Sequence, residues 1–270
     1  MSSSSETLHV VLFPFMAKGH TIPLVNLARL LCLHRNNNIT VTIFTTNPNS
    51  AFIRQSLSDT KASVIDLTFP EFTHPEIPKE SKVQINYHHF LSFASLTKLL
   101  QPEFDRILQS LQPDVSCIIS DVFFPWSLES ASKLDIPRYE FSGCSNFTVA
   151  IYDILAIQEF PVDSDDELFS LAPNFPDVRL TKNDLEPEVI HSQPGEVTDL
   201  FTDIYSATSN GNSIIANSFY ALESQFEDYL NRKSSCPSKG LRNTLGKTTP
   251  KLPKLNKEFR VGAIFLKGPK

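Results

Sequence analysis

Two residues of this 270-residue chain have the side chains of a proton-transfer pair. His20 follows an apolar run in FPFMAKGHTIPLVNLARLL, and Asp121 closes the run IISD. A carboxylate beside an imidazole fixes its tautomer and stabilises the imidazolium formed when the ring takes a proton, which equips the pair as a general base toward a hydroxyl. A plainer account uses the same residue types. A histidine at a helix start fills a turn, and an aspartate at a strand end caps the next helix. No metal site is expected. Cys32, Cys117, Cys144 and Cys236 are far apart and form no CxxC or CxxH pair. His88 and His89, adjacent on an expected helix, project about 100° apart and suit no common ion.

What would bring residues 20 and 121 together is a parallel sheet. LHVVLFPF (8–15) is a short apolar strand, and from Ile22 apolar positions recur at helical spacing, with Pro23 near the helix start. ITVTIFTT (39–46) predicts a second strand, NPNSAFIRQSL a capped helix and ASVIDLTF (62–69) a third strand. PEFTHPEIPKESK (70–82) reads as a loop, and a long helix is expected over 85–111. DVSCIISD (114–121), PRYEFS and NSIIANS (212–218) predict further strands, with helices at PWSLESASKL, CSNFTVAIYDILAI, 198–208 and 221–232. Residues 160–197, with five prolines, read mostly as loop. Strand–helix alternation of this kind predicts an α/β fold, a Rossmann-like parallel sheet flanked by helices. In such a sheet, ligands bind at the C-terminal strand ends where strand order reverses, the edge at which both His20 and Asp121 should stand.

Composition limits the alternatives. With 41% hydrophobic and 20% charged residues the chain is ordinary for a globular protein, apart from 21 phenylalanines. No apolar run is long enough to span a membrane, and MSSSSETLHVVLFPF lacks the basic start of a secretory signal, so a cytoplasmic protein with reduced thiols is expected. The net charge of −6 is divided unevenly. Residues 233–270 carry ten Lys/Arg against one acidic residue, a net +9, while residues 1–232 carry −15. The chain is therefore read as a domain over 1–232 and a basic, irregular tail over 233–270 that buries too little apolar surface to order itself. Lys-rich tails bind polynucleotides non-specifically, but this one has no recognition module, so no nucleic-acid partner is expected.

The order of motifs resembles one family. FPFMAKGHTIPLVNLARLL is similar to the N-terminal signature of plant family 1 UDP-glycosyltransferases: an apolar strand, GH, two residues, P, then a helix containing LA. IISDVFFPW, PRYEFSGCSNF and NSIIANSFYALES resemble its next three segments in the same order, over residues 8 to about 232. The resemblance implies the N-terminal half of a two-domain GT-B fold, a half that binds a small phenolic or other lipophilic acceptor such as a flavonoid. It makes His20 the base toward the acceptor hydroxyl and Asp121 the group that orients it. Sugar, most simply glucose, would pass from a UDP-sugar co-substrate with inversion and without metal or other cofactor. The resemblance also aligns Ser142 with a residue that touches the donor sugar, and Gly19 with backbone near the diphosphate. Phe15, Phe90, Phe123, Phe124 and Phe141, near strand ends or in loops, are the candidates for an acceptor wall.

The chain departs from the family in its second half. The UDP-sugar signature, with its Trp-rich start and HCGWNS-like core, does not occur; the one tryptophan is Trp126. Without a donor domain nothing holds an electrophile in line with His20, so these residues alone are expected to transfer no sugar. A UDP-sugar would be a partner only where a donor domain is supplied. The alternative is a non-catalytic small-molecule-binding or interaction protein that keeps the acceptor pocket. A nicotinamide-binding Rossmann enzyme is disfavoured, because FPFMAKGH lacks the GxGxxG turn.

Overall fold

Val10–Phe13 and Val41–Thr46 are each buried without interruption, as strands covered on both faces must be. In the computed structural model, which describes residues 7–33, 38–70, 87–155, 162–185 and 195–234, they form the middle of a six-stranded sheet. The strands are β1 (Leu8–Phe13), β2 (Ile39–Thr46), β3 (Ser63–Leu67), β4 (Cys117–Asp121), β5 (Arg138–Ser142) and, at the edge, β8 (Ser213–Ala216). Their order is β3-β2-β1-β4-β5-β8, and the β1–β2, β2–β3, β1–β4 and β4–β5 pairs are parallel. Strand order reverses between β1 and β4. Phe13 pairs with Ser120, so the chain leaving β1 and the last residue of β4 share one edge.

Among the described residues the helices are α1 (Lys18–Cys32), α2 (Asn47–Ser56), α3 (Tyr87–Leu96), α4 (Gln101–Leu108), α5 (Ser127–Lys133), α6 (Asn146–Leu155), α7 (Glu196–Asn210) and α8 (Tyr220–Ser234). The long helix expected over 85–111 is interrupted. A 3-10 turn at Thr97–Leu100 separates α3 from α4, and Pro102 stands at the start of α4, where its missing N–H is tolerated. Thr97 uses the break: its hydroxyl donates to the Ala94 carbonyl at 2.6 Å and receives the Trp126 indole N–H at 3.1 Å.

The chain divides into two units. The first, Met1–Gly143 with Pro187–Ile215, holds the sheet and a core built on Val11, Phe13, Phe15, Phe44, Phe104, Phe124 and Trp126. Phe13 is its hub, with ring centroids 4.2 Å from Phe124, 5.3 Å from Phe104 and 6.0 Å from Phe44. The second, Cys144–Glu186 with Ala216–Lys270, packs α6 and α8 around Ile151, Ile154, Phe175 and Phe226. It contains a short antiparallel pair, β6 (Phe169–Leu171) and β7 (Phe175–Leu180), within a stretch expected to be mostly loop. Phe169, Leu171 and Phe175 are buried there, an alternation too brief to stand out among the flanking prolines. The expected loop at 71–82 and the basic tail from 235 onward lie outside the described residues.

Candidate active site

The site begins with the turn out of β1. Helix α1 starts at Lys18, four residues before the apolar periodicity sets in, so His20 lies in its first turn and Pro23 inside it. The Ala17 carbonyl receives the N–H groups of His20 at 3.0 Å and Thr21 at 2.9 Å. The buried Thr21 hydroxyl donates to the Phe15 carbonyl at 3.0 Å, tying the helix back to the end of the strand. These bonds fix which side of the edge the imidazole occupies.

Asp121, across the strand reversal, is fully buried, whereas the His20 side chain keeps 18% of its exposure. His20 Nδ1 and Asp121 Oδ2 are 2.8 Å apart although 101 residues separate them in the chain. The other carboxylate oxygen receives the Phe123 N–H at 3.2 Å, and the main-chain carbonyl receives the Phe124 N–H at 3.0 Å. A carboxylate only accepts, so the shared proton belongs on Nδ1 and leaves Nε2 as the basic nitrogen. Burial works against an imidazolium at His20, but the hydrogen bond to Asp121 and the negative charge of that carboxylate outweigh it, and His20 titrates above its ordinary value.

Aromatic rings surround the imidazole. Its centroid is 5.6 Å from Phe15, 5.6 Å from Phe123 and 6.2 Å from Phe90, and those three rings touch one another at 4.9 to 5.3 Å. Phe90, on α3, and Phe123, after β4, are half-buried and face the site. Phe15 is buried behind them. The remaining two of the five candidates lie deeper. Phe124 is fully buried against Phe13, Phe15 and Trp126, and Phe141, fully buried in β5, pairs in register with Asp121.

Ser142 ends β5 and is buried at the same edge; Gly19 is exposed in the first turn of α1, and a Cβ there would meet nothing within 4 Å. Two residues with no signal of their own complete the surroundings. Phe93 adds a ring 6.0 Å from Phe15. Gly143 lies so close to the imidazole that a Cβ would stand 3.4 Å from His20 Nδ1 and 3.5 Å from the Gly19 carbonyl oxygen. Gly143 could have been found by placing β5 beside β4, since both end on the edge that carries Asp121. Among the described residues no group of three or more His, Cys, Asp or Glu side chains could hold a metal ion, and no helix is long and apolar enough to cross a membrane.

Comparison with known proteins agrees with this fold. The chain is 38% identical to UDP-glycosyltransferase 90A1 of Arabidopsis thaliana over 264 residues, which cover 93% of this chain and 54% of that protein. Its fold matches the crystal structure of Glycyrrhiza uralensis UGT73P12 complexed with glycyrrhetinic acid 3-O-monoglucuronide. That match has a TM-score of 0.70 and 27% identity over 85% of this chain and 47% of the other. At 18% identity, Medicago truncatula UGT71G1, solved with UDP-glucose, shares the fold with a TM-score of 0.66 over 85% of this chain and 50% of its own. The chain spans about half the length of the curated relatives it matches. No family model matches it.

Proposed function

Because this chain belongs to the plant UDP-glycosyltransferases, matching about half their length, we propose that it is the acceptor-binding, hydroxyl-activating half of such an enzyme. The observation that carries this reading is the 2.8 Å contact between His20 Nδ1 and Asp121 Oδ2, set among phenylalanine rings at the sheet edge. His20 Nε2 takes the proton of an acceptor O–H group. The freed oxygen bonds to the anomeric carbon of a UDP-sugar, glucose in the simplest case, from the face opposite the nucleotide. The bond from that carbon to the UDP oxygen breaks with its electron pair leaving on UDP, so the sugar configuration inverts. Asp121 holds the ring in the Nδ1–H tautomer and stabilises the imidazolium until the proton departs.

The acceptor is a small lipophilic hydroxyl compound, a phenol or flavonoid, stacked against Phe90 and Phe123 with Phe15 behind them. Phe124 and Phe141 support that wall from the core. Ser142 and the backbone at Gly19 face the donor side. The sugar nucleotide is a co-substrate, the chemistry calls for no metal or other cofactor, and the compartment we assign is the cytoplasm. General-base assistance is worth about 10² to 10⁴ in rate, and positioning and charge stabilisation of the leaving nucleotide supply much of the rest. Since the donor-binding signature is absent from these residues, the 270-residue chain is expected to bind acceptor without transferring sugar.

The test uses the purified chain with UDP-glucose and a panel of phenols and flavonoids, with products read by mass spectrometry and binding by perturbation of the His20 ring signals. Acceptor binding that broadens or shifts His20, without product, is the expected result. Product that vanishes in His20→Ala would mean that donor binding resides in these residues after all. No binding by any acceptor would sink the proposal and leave sequence and fold as what the chain shares with the family.

A further inference from the structure

Arg138 is among the largest fully buried side chains of the protein, and the proton transfer proposed above makes no use of it. It opens β5, paired in register with Ile118, and its side chain runs along the sheet toward the edge that carries Asp121. Its Nε donates to the Ser120 hydroxyl at 2.9 Å, Nη2 to the Asp121 main-chain carbonyl at 3.2 Å, and Nη1 to Glu140 Oε2 at 3.0 Å. Glu140 also receives the Thr208 hydroxyl at 2.8 Å. Ser120 meets the Ser127 hydroxyl at 2.7 Å, and Ser127 donates to the Phe124 carbonyl at 2.6 Å, so the same network holds the chain on both sides of Asp121.

We propose that Arg138 is a positioning residue for the His20–Asp121 pair: its guanidinium pins the last two residues of β4 from inside the sheet, so that the Asp121 carboxylate is presented to His20. The inference rests on the base reading of His20 and adds a residue that never touches the substrate. Burying an Arg–Glu pair is expensive, and well-packed apolar residues in its place are often as stable or more so. Burial opposes both charges here, pushing the Glu140 carboxyl up and the Arg138 guanidinium down against their mutual attraction. What an apolar side chain would not supply is a rigid fork of donors set on Ser120 and on the Asp121 carbonyl. Among the described residues, the charged or titratable groups around Asp121 are His20 from α1 and Arg138 and Glu140 from β5.

The experiment follows the His20 side chain by NMR in the full 270-residue chain, labelled at histidine. His20 is assigned among the seven histidines by comparison with His20→Gln. Three variants are titrated beside the wild type: Asp121→Asn, the paired swap Arg138→Met with Glu140→Gln, and all three changes together. Asp121→Asn is expected to lower the His20 pKa. The paired swap is expected to lower it as well, and the triple variant no further than Asp121→Asn alone, because the effect passes through Asp121. A paired swap that leaves His20 unmoved while Asp121→Asn lowers it would make Arg138 mere core and overturn this inference alone. Shifts that add in the triple variant would also overturn it, since Arg138 would then act on His20 directly. An Asp121→Asn that leaves His20 unmoved would end both this inference and the base reading beneath it. Fluorescence of Trp126, the sole tryptophan, reports whether each variant is folded. Should the swap not fold, Arg138→Lys keeps the charge beside Glu140 but loses the fork, and it must still lower the His20 pKa for the proposal to stand.

Discussion

His20 illustrates how a hydrogen bond and the negative charge behind it together outweigh burial. Desolvation alone would depress its pKa, yet Asp121 raises it above the ordinary histidine value near 6.5. A histidine whose folded pKa lies above its unfolded one binds its proton more tightly in the native state. Its contribution to stability is full below the unfolded pKa and is lost as pH rises through the folded value. Urea melts of wild type and Asp121→Asn across pH should therefore show the largest wild-type lead in weakly acidic solution, shrinking as the solution becomes alkaline. A lead that instead grew with pH would mean that Asp121 acts through something other than the imidazolium. Gly143 belongs to this scale as well. Alanine there would bring a methyl group to 3.4 Å from Nδ1, the near limit of ordinary van der Waals contact with the ring.

Among the elements, the β1-to-α1 connection decides where the imidazole stands. The apolar period begins at Ile22, but Ala17 accepts two N–H groups and draws the helix start back to Lys18. No side chain caps α1 at Ala17, so the Thr21 hydroxyl bonded to the Phe15 carbonyl is the local tie. Thr21→Val keeps the shape and removes the donor, leaving that carbonyl without this partner in a buried place. We expect a loss of about 1–3 kcal/mol in chemical denaturation, together with a weaker His20–Asp121 coupling in the ring titration. A stability unchanged within error would show that water or backbone replaces the bond. The break between α3 and α4 has a similar logic. Pro102 stops a single long helix, and the gap is filled by Thr97 meeting the Trp126 indole.

At the scale of the whole molecule, the aromatic surplus sorts by depth. Phe124 is fully buried with its ring tilted against Phe13 at 4.2 Å, so Phe124→Ala should cost about 3–5 kcal/mol of stability. Phe123, its neighbour in sequence, is half-buried beside His20. Phe123→Ala should cost less in a denaturant melt and more in acceptor affinity, which separates wall from core by two measurements on adjacent residues. Equal stability losses would place both in the core.

The sequence alone determined the sheet and the edge at which His20 and Asp121 stand, because continuous apolar strands alternating with amphipathic helices admit few topologies and those bring parallel strand ends together. It also made the membership of the UDP-glycosyltransferases legible, through motifs at the ends of those strands. Only the tertiary structure decided which phenylalanines ring the imidazole, because Phe123 and Phe124 are identical in local sequence and differ only in which way the turn after β4 points them. The roles of Gly143 and Arg138 were hidden for the same reason. A glycine matters here through what its missing Cβ would touch, and a buried arginine through partners on Ser120, Asp121 and Glu140 that lie on two neighbouring strands. The hairpin at Phe169–Leu180 escaped a reading based on period because its three buried residues gain their meaning only from the helices that cover them.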